Sequence, residues 1–341
     1  MTAYKKRRTL ARMGAGLLTA LLGATGAAQA QTQAQAQAQA QTFPDRPIRV
    51  VVPFAPGNTL DQALRVVSEQ IKKNTGQPLV VDNKPGGSGL IAIQAVLAAP
   101  ADGYTVLLSN IGMFGINPHT FSKLPYDPQK SFRHVTGFVG ASMALAVHAS
   151  VPANNLREFI DWARPKGNAV SYASWTAGNS SHFAGVILNQ KAGLQMLHVP
   201  FNGTPPALQN LVGGQVQAAF LPPLALKQHA DGGKVKVLAV TSPQRSPLFP
   251  QVGTFREQGY PDLEIHIWSG LAVPAQTPEA IVNRLHAEFE KALVSPEVRE
   301  KFRAFDFEAL PLSPDEFTRF VQRDNQRWAE AVRLSGFKAS E

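Results

Sequence analysis

Cysteine is absent from this chain of 341 residues. That absence excludes disulfide bonds, thiolate metal ligands and a thiol nucleophile. The eight histidines are dispersed, and none stands four residues from another, so the spacing of a helical zinc site is missing as well. The Gly-x-Ser-x-Gly elbow of many hydrolases does not occur. We therefore expect a protein that is not an enzyme and that holds no metal or cofactor.

Long apolar stretches are also scarce, and the one at the N-terminus has the features of an export signal. Lys5–Arg8 is basic, Met13–Ala27 is small and apolar, and Ala28-Gln29-Ala30 is a small-x-small cleavage sequence. This order predicts a signal peptide over residues 1–30, because the apolar run is too short and too rich in Gly and Ala for a membrane span. The basic pair inside Lys5–Arg8 leaves the secretory and twin-arginine routes both open.

The segment after the signal is expected to be a tether. Residues 31–42 alternate Gln with Ala or Thr, have no apolar face to bury and are predicted to be disordered. The folded part should begin near Phe43, in a periplasmic location. Loss of the signal segment lowers the formal net charge from +9 to +4. This mild excess fits a small anionic ligand and not nucleic acid, since no basic strip interleaved with aromatic residues is present.

Strand and helix patterns alternate along the rest of the chain, which predicts two α/β lobes, each a mostly parallel sheet with flanking helices. The first lobe is expected to combine residues 43–140 with 267–341, and the second, residues 141–266, to be inserted between them. Two long apolar runs, Gly137–His148 and Ile265–Val273, are the predicted crossings. Two such crossings can act as a hinge beside a cleft. No heptad or long apolar edge indicates assembly, so a monomer is expected.

Three strand-to-helix turns share one design and are the candidate grips for an anion. They span Phe54–Asp61, Trp175–His182 and Pro200–Thr204, and each sets an aromatic residue near Gly and a hydroxyl or amide just before a helix. The first turn of a helix offers unpaired N–H groups to an anion such as a carboxylate. The alternative is that each turn is only a connector. His182 either contacts ligand or caps its turn, and Asp61 with Arg65 is more simply a structural ion pair.

Two further groups of residues have structural interpretations. Gly87–Ala92 matches Gly-x-Gly-x-x-Ala, but Ser109-Asn110 replaces the acidic residue that a dinucleotide site needs, so a tight turn is expected. Helix N-caps are predicted at Asn155, Thr204, Thr277, Ser295 and Ser313.

Motifs along the whole mature chain resemble those of the Bug-type receptors, the extracytoplasmic solute-binding proteins of tripartite tricarboxylate transporters. The matching segments are Phe43–Ile48, Val52–Arg65, Asn83–Gly89, Ala101–Thr105, Gly178–His182, His198–Gly203, Leu211–Val216, Leu238–Thr241, Gly259–Pro261 and Trp268–Leu271.

This resemblance implies a two-lobed periplasmic-binding-protein fold (type II-like) that closes on a small carboxylate and delivers it to membrane permease subunits. A sensor protein as the membrane partner and a hydrolase on the same fold stay open as alternatives. The turns and the resemblance together predict these ligand-binding residues: Phe54, Ala55, Gly57, Asn58, Thr59, Asp61, Asn110, Trp175, Gly178, Asn179, Ser180, His182, Phe201, Asn202, Gly203 and Leu221.

Two positions depart from the family pattern. Asn58 follows Gly57 where the family usually has a second glycine, and Leu221 follows Phe220 where the family often has an aspartate. Loss of that carboxylate removes a partner for a ligand ammonium group. The sequence therefore predicts a preference for an acid without a charged amine over an amino acid.

Overall fold

The computed structural model describes residues 41–57 and 59–338. The predicted signal peptide and most of the predicted tether lie outside this range, although the tether residues Gln41 and Thr42 are helical. Asn58 is also outside the described residues. Within the described part, no helix combines the length and the apolar character that a membrane crossing requires.

The strands of the described residues form two sheets. In chain order they are β1 (Ile48–Val52), β2 (Leu79–Asn83), β3 (Thr105–Asn110), β4 (Phe132–Ala141), β5 (Ala144–His148), β6 (Ser171–Ser174), β7 (Leu197–Pro200), β8 (Ala218–Leu221), β9 (Val235–Val240), β10 (Ile267–Pro274) and β11 (Phe307–Ala309).

Helices flank both sheets. They are α1 (Thr59–Thr75), α2 (Leu90–Leu97), α3 (Asn117–Thr120), α4 (Leu156–Ala163), α5 (Ser180–Ala192), α6 (Thr204–Val212), α7 (Pro223–Asp231), α8 (Glu279–Leu293), α9 (Pro296–Ala304) and α10 (Pro314–Ser335). Sequence explains α1 well, because its buried residues Ala63, Leu64, Val67 and Ile71 recur on one face.

The sheets confirm the predicted two-sheet α/β fold, and each sheet contains antiparallel pairs beside its parallel ones. The first sheet has the order β11-β4-β10-β3-β1-β2 and the second β7-β6-β8-β5-β9. Among the strands of the described residues, β1 pairs parallel with β2 and β3, and β6 pairs parallel with β7 and β8. The strands that carry the chain outward and back pair antiparallel, as β4 with β10 and β5 with β9. The sheets are therefore mixed, because a chain that leaves a sheet and returns to it runs in opposite directions on the two passes.

The crossing between the sheets is held by the side chain of Thr241. The chain leaves the first sheet at Ala141 and enters the second at Ala144, and it returns between Val240 and Ile267. The fully buried Thr241 hydroxyl accepts from the Met143 N–H at 2.9 Å and donates to the Ile265 carbonyl at 2.9 Å. Both passes are thus bonded to one side chain. The division into lobes at residues 140 and 267 stays a prediction.

A buried carboxylate attaches the last helix to the returning strand. Asp324 on α10 accepts from the indole N–H groups of Trp268, at 2.7 Å, and Trp328, at 3.0 Å. Burial raises the pKa of the Asp324 carboxyl, and the two indole donors only partly oppose this shift. The pair of bonds fixes α10 against the start of β10.

Candidate binding site at the carboxyl ends of the parallel strands

The predicted ligand-binding residues lie at the carboxyl ends of the parallel strands, and strand register places these ends beside the crossing. In the first sheet Asn110, the last residue of β3, stands opposite Ser269 of the returning strand. In the second sheet Leu221, the last residue of β8, stands opposite Ala144, where the chain enters. Ligands of open α/β sheets bind outside the carboxyl ends of strands. Both sets of turns therefore border the two passes of chain between the sheets.

The first turn is closed by Asp61, which is 2% exposed. Its carboxylate accepts from the Gly57 N–H at 3.2 Å and from the Arg65 guanidinium at 3.1 Å. Asn83, at the end of β2, donates to the Phe54 carbonyl at 3.0 Å. Asp61 therefore shapes the turn and forms the structural ion pair with Arg65 that the sequence favoured.

Electrostatics at Asp61 favour the ionised carboxylate. Burial raises the pKa of this group, but the hydrogen bonds from Arg65, Gly57 and Asn83 outweigh burial, so the pKa is lowered overall. Because the carboxylate already accepts the Gly57 N–H, this amide is not free for a ligand anion. One of the N–H donors that the first turn was predicted to offer an anion is thus already bonded within the protein.

The second turn is organised by the side chain of Asn179, the N-cap of α5. Its Oδ1 accepts from the N–H groups of Ser181 and His182, both at 3.1 Å, and from the Ser181 hydroxyl at 2.8 Å. Ser181 in turn accepts from the Trp175 N–H at 3.2 Å. These bonds fix the orientation of the Asn179 amide, since its oxygen is committed to the helix start.

The other end of the Asn179 side chain is an unused donor. Its Nδ2 is buried and has no hydrogen-bond partner within the described residues. In the same part of the chain, no described residue accepts from the backbone N–H groups of Thr176, Ala177, Asn179 or Ser180. Buried polar groups are rarely left unsatisfied in native proteins, so an unused donor is a candidate contact for a water molecule or a ligand. The second turn therefore presents several N–H donors at the positive end of a 13-residue helix.

Two stacked histidine rings pack against the second turn. The rings of His182 and His198 lie 3.8 Å apart with an interplanar angle of 11°. Gly178 donates its N–H to His182 Nδ1 at 3.2 Å, which leaves the proton of the neutral ring on Nε2. Ser174 donates its hydroxyl to the Thr176 carbonyl, so its oxygen accepts from His198 Nε2 at 2.7 Å.

Both rings are held neutral. Burial lowers the pKa of His182 to about 4. Burial, with the neighbouring His182 ring as a further cause, lowers the pKa of His198 to about 3. The pair therefore contributes polar surface and shape to the turn at neutral pH but no positive charge. His198 was not predicted as a site residue, and only the parallel pairing of β6 with β7, which sets His198 opposite Tyr172, brings it there.

The third turn lies against the second. Phe201 donates its N–H to the Ser174 carbonyl at 3.0 Å, and Gly203 donates to the Trp175 carbonyl at 2.7 Å. Asn202 is exposed, whereas Phe201 and Gly203 are half-buried. The structure therefore brings the second and third turns together at the edge of the second sheet.

The remaining predicted residues differ in exposure. Phe54, Thr59 and Trp175 are half-buried, and Ala55 is exposed. Asn110 uses its Oδ1 to accept from the Met113 N–H at 3.1 Å. Leu221 is fully buried in a core cluster with Ala144.

Three partly open cavities lie away from the predicted ligand-binding residues. One cavity of about 440 Å³ lies between β4, α8 and α10, a second of about 490 Å³ lies beside β11 and the crossing, and a third of about 400 Å³ lies between α1 and β2. The predicted ligand-binding residues line none of the three.

A family model described as "Tripartite tricarboxylate transporter family receptor" matches residues 63–337. Among curated proteins, BugT of Bordetella pertussis is 30% identical over 322 residues, which cover 94% of this chain and 99% of BugT.

Solved structures show the same likeness. An R. palustris protein with adipate has a TM-score of 0.76 and 29% identity, covering 87% of this chain and 99% of that one. MatC from Rhodopseudomonas palustris, with bound malate, has a TM-score of 0.71 and 32% identity, covering 85% of this chain and all of its own.

Proposed function

Because this chain belongs to the tripartite tricarboxylate transporter receptors, the family of Bug-type periplasmic solute-binding proteins, we propose that it captures a small organic carboxylate between its two sheets. Delivery to the membrane permease of a tripartite transporter is part of the proposal, as are export by cleavage after residue 30 and function as a monomer. The adipate and malate held by the two related structures support the ligand class.

The observation that carries the proposal is the set of unused donors at the start of α5. Asn179 Nδ2 is buried without a partner, and unpaired N–H groups flank it within the described part of the chain. A carboxylate has two oxygens with several lone pairs and donates nothing, so it can satisfy such donors without leaving a donor of its own unpaired. Charge-assisted hydrogen bonds of this kind are the stronger ones.

The finer preference concerns the ligand's amine. Leu221 occupies the strand end where a carboxylate would pair with an ammonium group, and its side chain is fully buried. We propose that the receptor prefers an acid without a charged amine. Asn58, at the other departure from the family pattern, lies outside the described residues.

A ligand screen tests the proposed function. The purified protein would first be weighed by native mass spectrometry for a retained ligand, then melted with adipate, malate, glutamate and aspartate. A ligand at a hundred times its Kd stabilises the folded state by about 2.7 kcal/mol, which raises the Tm by several degrees. We expect adipate or malate to do so. Stabilisation by none of the acids would contradict the function, and preferential stabilisation by glutamate or aspartate would contradict the preference.

Two variants of one residue test the role of Asn179. Asn179→Ser keeps an N-cap oxygen but lacks the amide donor, and Asn179→Asp keeps the cap while setting a negative charge against the ligand. Loss of one charge-assisted hydrogen bond corresponds to about a tenfold to hundredfold weaker Kd, so we expect that loss for Ser and a larger one for Asp. The measurement is calorimetry with the acid that stabilises best. Wild-type affinity in both variants would refute the assignment.

A further inference from the structure

We propose that Phe337, which follows the last helix, is a positioning residue for the carboxylate site and holds the second turn in its ligand-binding shape. The inference rests on the proposed function, because it concerns the same turn. Nothing in the sequence pattern had assigned a role to this residue.

The end of α10 directs Phe337 back toward the second sheet. The helix ends at Gly336, whose φ of +65° reverses the chain. Ser335 accepts the Phe337 N–H at 3.0 Å and donates its hydroxyl to the Val332 carbonyl at 2.7 Å. The segment after the helix is therefore fixed by hydrogen bonds, and the half-buried Phe337 ring has a defined direction.

The ring packs on the residues that shape the second turn. It meets the His182 ring edge-to-face at 5.6 Å and the Phe183 ring at 6.1 Å. Gly178 lies directly beneath it, since a Cβ at that position would stand 2.4 Å from Phe337 Cε1. Gly178 also has a φ of +72°, so both its backbone conformation and the ring above it require glycine.

The hydrogen bonds of the turn lie directly behind this contact. Gly178 donates to His182 Nδ1 at 3.2 Å, and the His182 N–H donates to the Asn179 oxygen that orients the unused Nδ2 donor. Movement of Gly178 or His182 would therefore move the donor. Phe337 limits this movement through its edge-to-face contact with the His182 ring, and the His198 ring limits it by stacking on that same ring.

This contact also links distant parts of the chain. The residues of α10 pack against the first sheet and, through Trp268 and Asp324, against the returning strand. Phe337 carries that attachment to a turn of the second sheet. The last helix also contacts α5 through the rings of Trp328 and Phe183, at 6.0 Å, so Phe337 is the part of this attachment that reaches the turn itself.

The test uses Phe337→Ala with a matched control on the helix that precedes it. Phe320→Ala removes another half-buried ring, which packs on Trp268 at 5.9 Å and Phe317 at 6.2 Å and contacts no residue of the turn in the described part of the chain. The full chain would be titrated with adipate and malate by calorimetry. We expect Phe337→Ala to weaken binding by up to about tenfold, because binding must then supply the free energy that orders the turn. Phe337→Tyr should restore affinity, and Phe320→Ala should lower the Tm without this loss.

Hydrogen exchange of the ligand-free protein separates this proposal from the proposed function. Faster exchange of the hydrogen-bonded amides of Gly178, Ser181 and His182 in Phe337→Ala, and not in Phe320→Ala, supports the positioning role whether or not a carboxylate binds. Unchanged exchange at those amides, or wild-type affinity in Phe337→Ala, overturns it. Failure of the wild-type protein to bind either acid would count against the proposed function alone.

Discussion

His134 illustrates how one buried side chain makes the stability of this protein depend on pH. Its ring is packed edge-to-face between Phe114, at 5.1 Å, and Phe317, at 5.3 Å, and its Nδ1 has no partner in the described part of the chain. Burial lowers the pKa of His134 to about 4. The folded protein thus resists a proton that the unfolded chain accepts below its ordinary pKa of about 6.5.

Replacement of His134 by Phe should stabilise the protein and flatten its acid response. The unfolded wild-type chain gains this proton as pH falls from 6.5 toward 4 while the folded chain does not, so stability is present above 6.5 and is lost on acidification. At pH 5 the difference amounts to about 2 kcal/mol as an upper value. Removing an unsatisfied polar ring should add about 1 kcal/mol at pH 7. Urea unfolding at pH 7 and pH 5 measures both, and parallel pH profiles for variant and wild type would contradict the pKa shift.

For single residues, the sequence predicted local contacts better than contacts between residues that are distant along the chain. Asp61 and Arg65 are one helical turn apart, so their ion pair follows from spacing alone. The stack of His182 on His198, by contrast, depends on which strands are neighbours. Neither helix nor strand periodicity contains that information.

Among the structural elements, the crossing at Thr241 allows a specific prediction of the change in unfolding free energy. Thr241→Val keeps the shape of the side chain but leaves the Met143 N–H and the Ile265 carbonyl buried without partners, at a cost of about 2–4 kcal/mol. Thr241→Ser keeps the hydroxyl and loses one methyl group, which should cost about 1 kcal/mol. Urea unfolding compares the two, and equal losses would show that the hydroxyl bonds contribute nothing.

Helix starts show where local sequence suffices. The predicted caps at Asn155, Ser295 and Ser313 are confirmed, since each side chain accepts an N–H three residues ahead. The predicted caps at Thr204 and Thr277 are wrong. Gly203 and Pro278 are the residues before those helices, so Thr204 is already helical and Thr277 stands one position too early.

Elements without a periodic pattern were missed. Pro223–Asp231 forms α7, although Pro222-Pro223 reads as a turn, because proline is tolerated at a helix start. Phe307–Ala309 is only three residues long and becomes a strand by pairing with the end of β4. Its pattern is too short to predict, and the tertiary pairing decides it.

On the scale of the whole molecule, alternation of strands and helices predicted two sheets and placed the turns at their edges. It could not predict strand order, so the antiparallel insertion of β10 between β3 and β4 was missed. Register then decides that Asn110 and Leu221 lie beside the crossing. The sequence therefore predicted which turns belong to the candidate site, but it did not predict how strand order and register bring them together.

Closure and assembly state can be measured together. We expect one chain per particle by light scattering, and a smaller radius of gyration by X-ray scattering when a saturating carboxylate is added, because the two sheets are joined by only two passes of chain. The control is the Asn179→Asp variant at the same acid concentration, which should not contract. A stable dimer would contradict the monomer, and an unchanged radius would contradict closure.

The position of β10 has a consequence for how the molecule is made. This strand lies between β3 and β4, yet it is synthesised more than a hundred residues after them, when every strand of the second sheet has already been made. Until it arrives, β3 and β4 each expose an open edge, and the nascent first sheet cannot be completed. A chain that ends before Ile267 would thus expose the unpaired backbone edges of β3 and β4. The second sheet is continuous in sequence, so all of its strands would already be present.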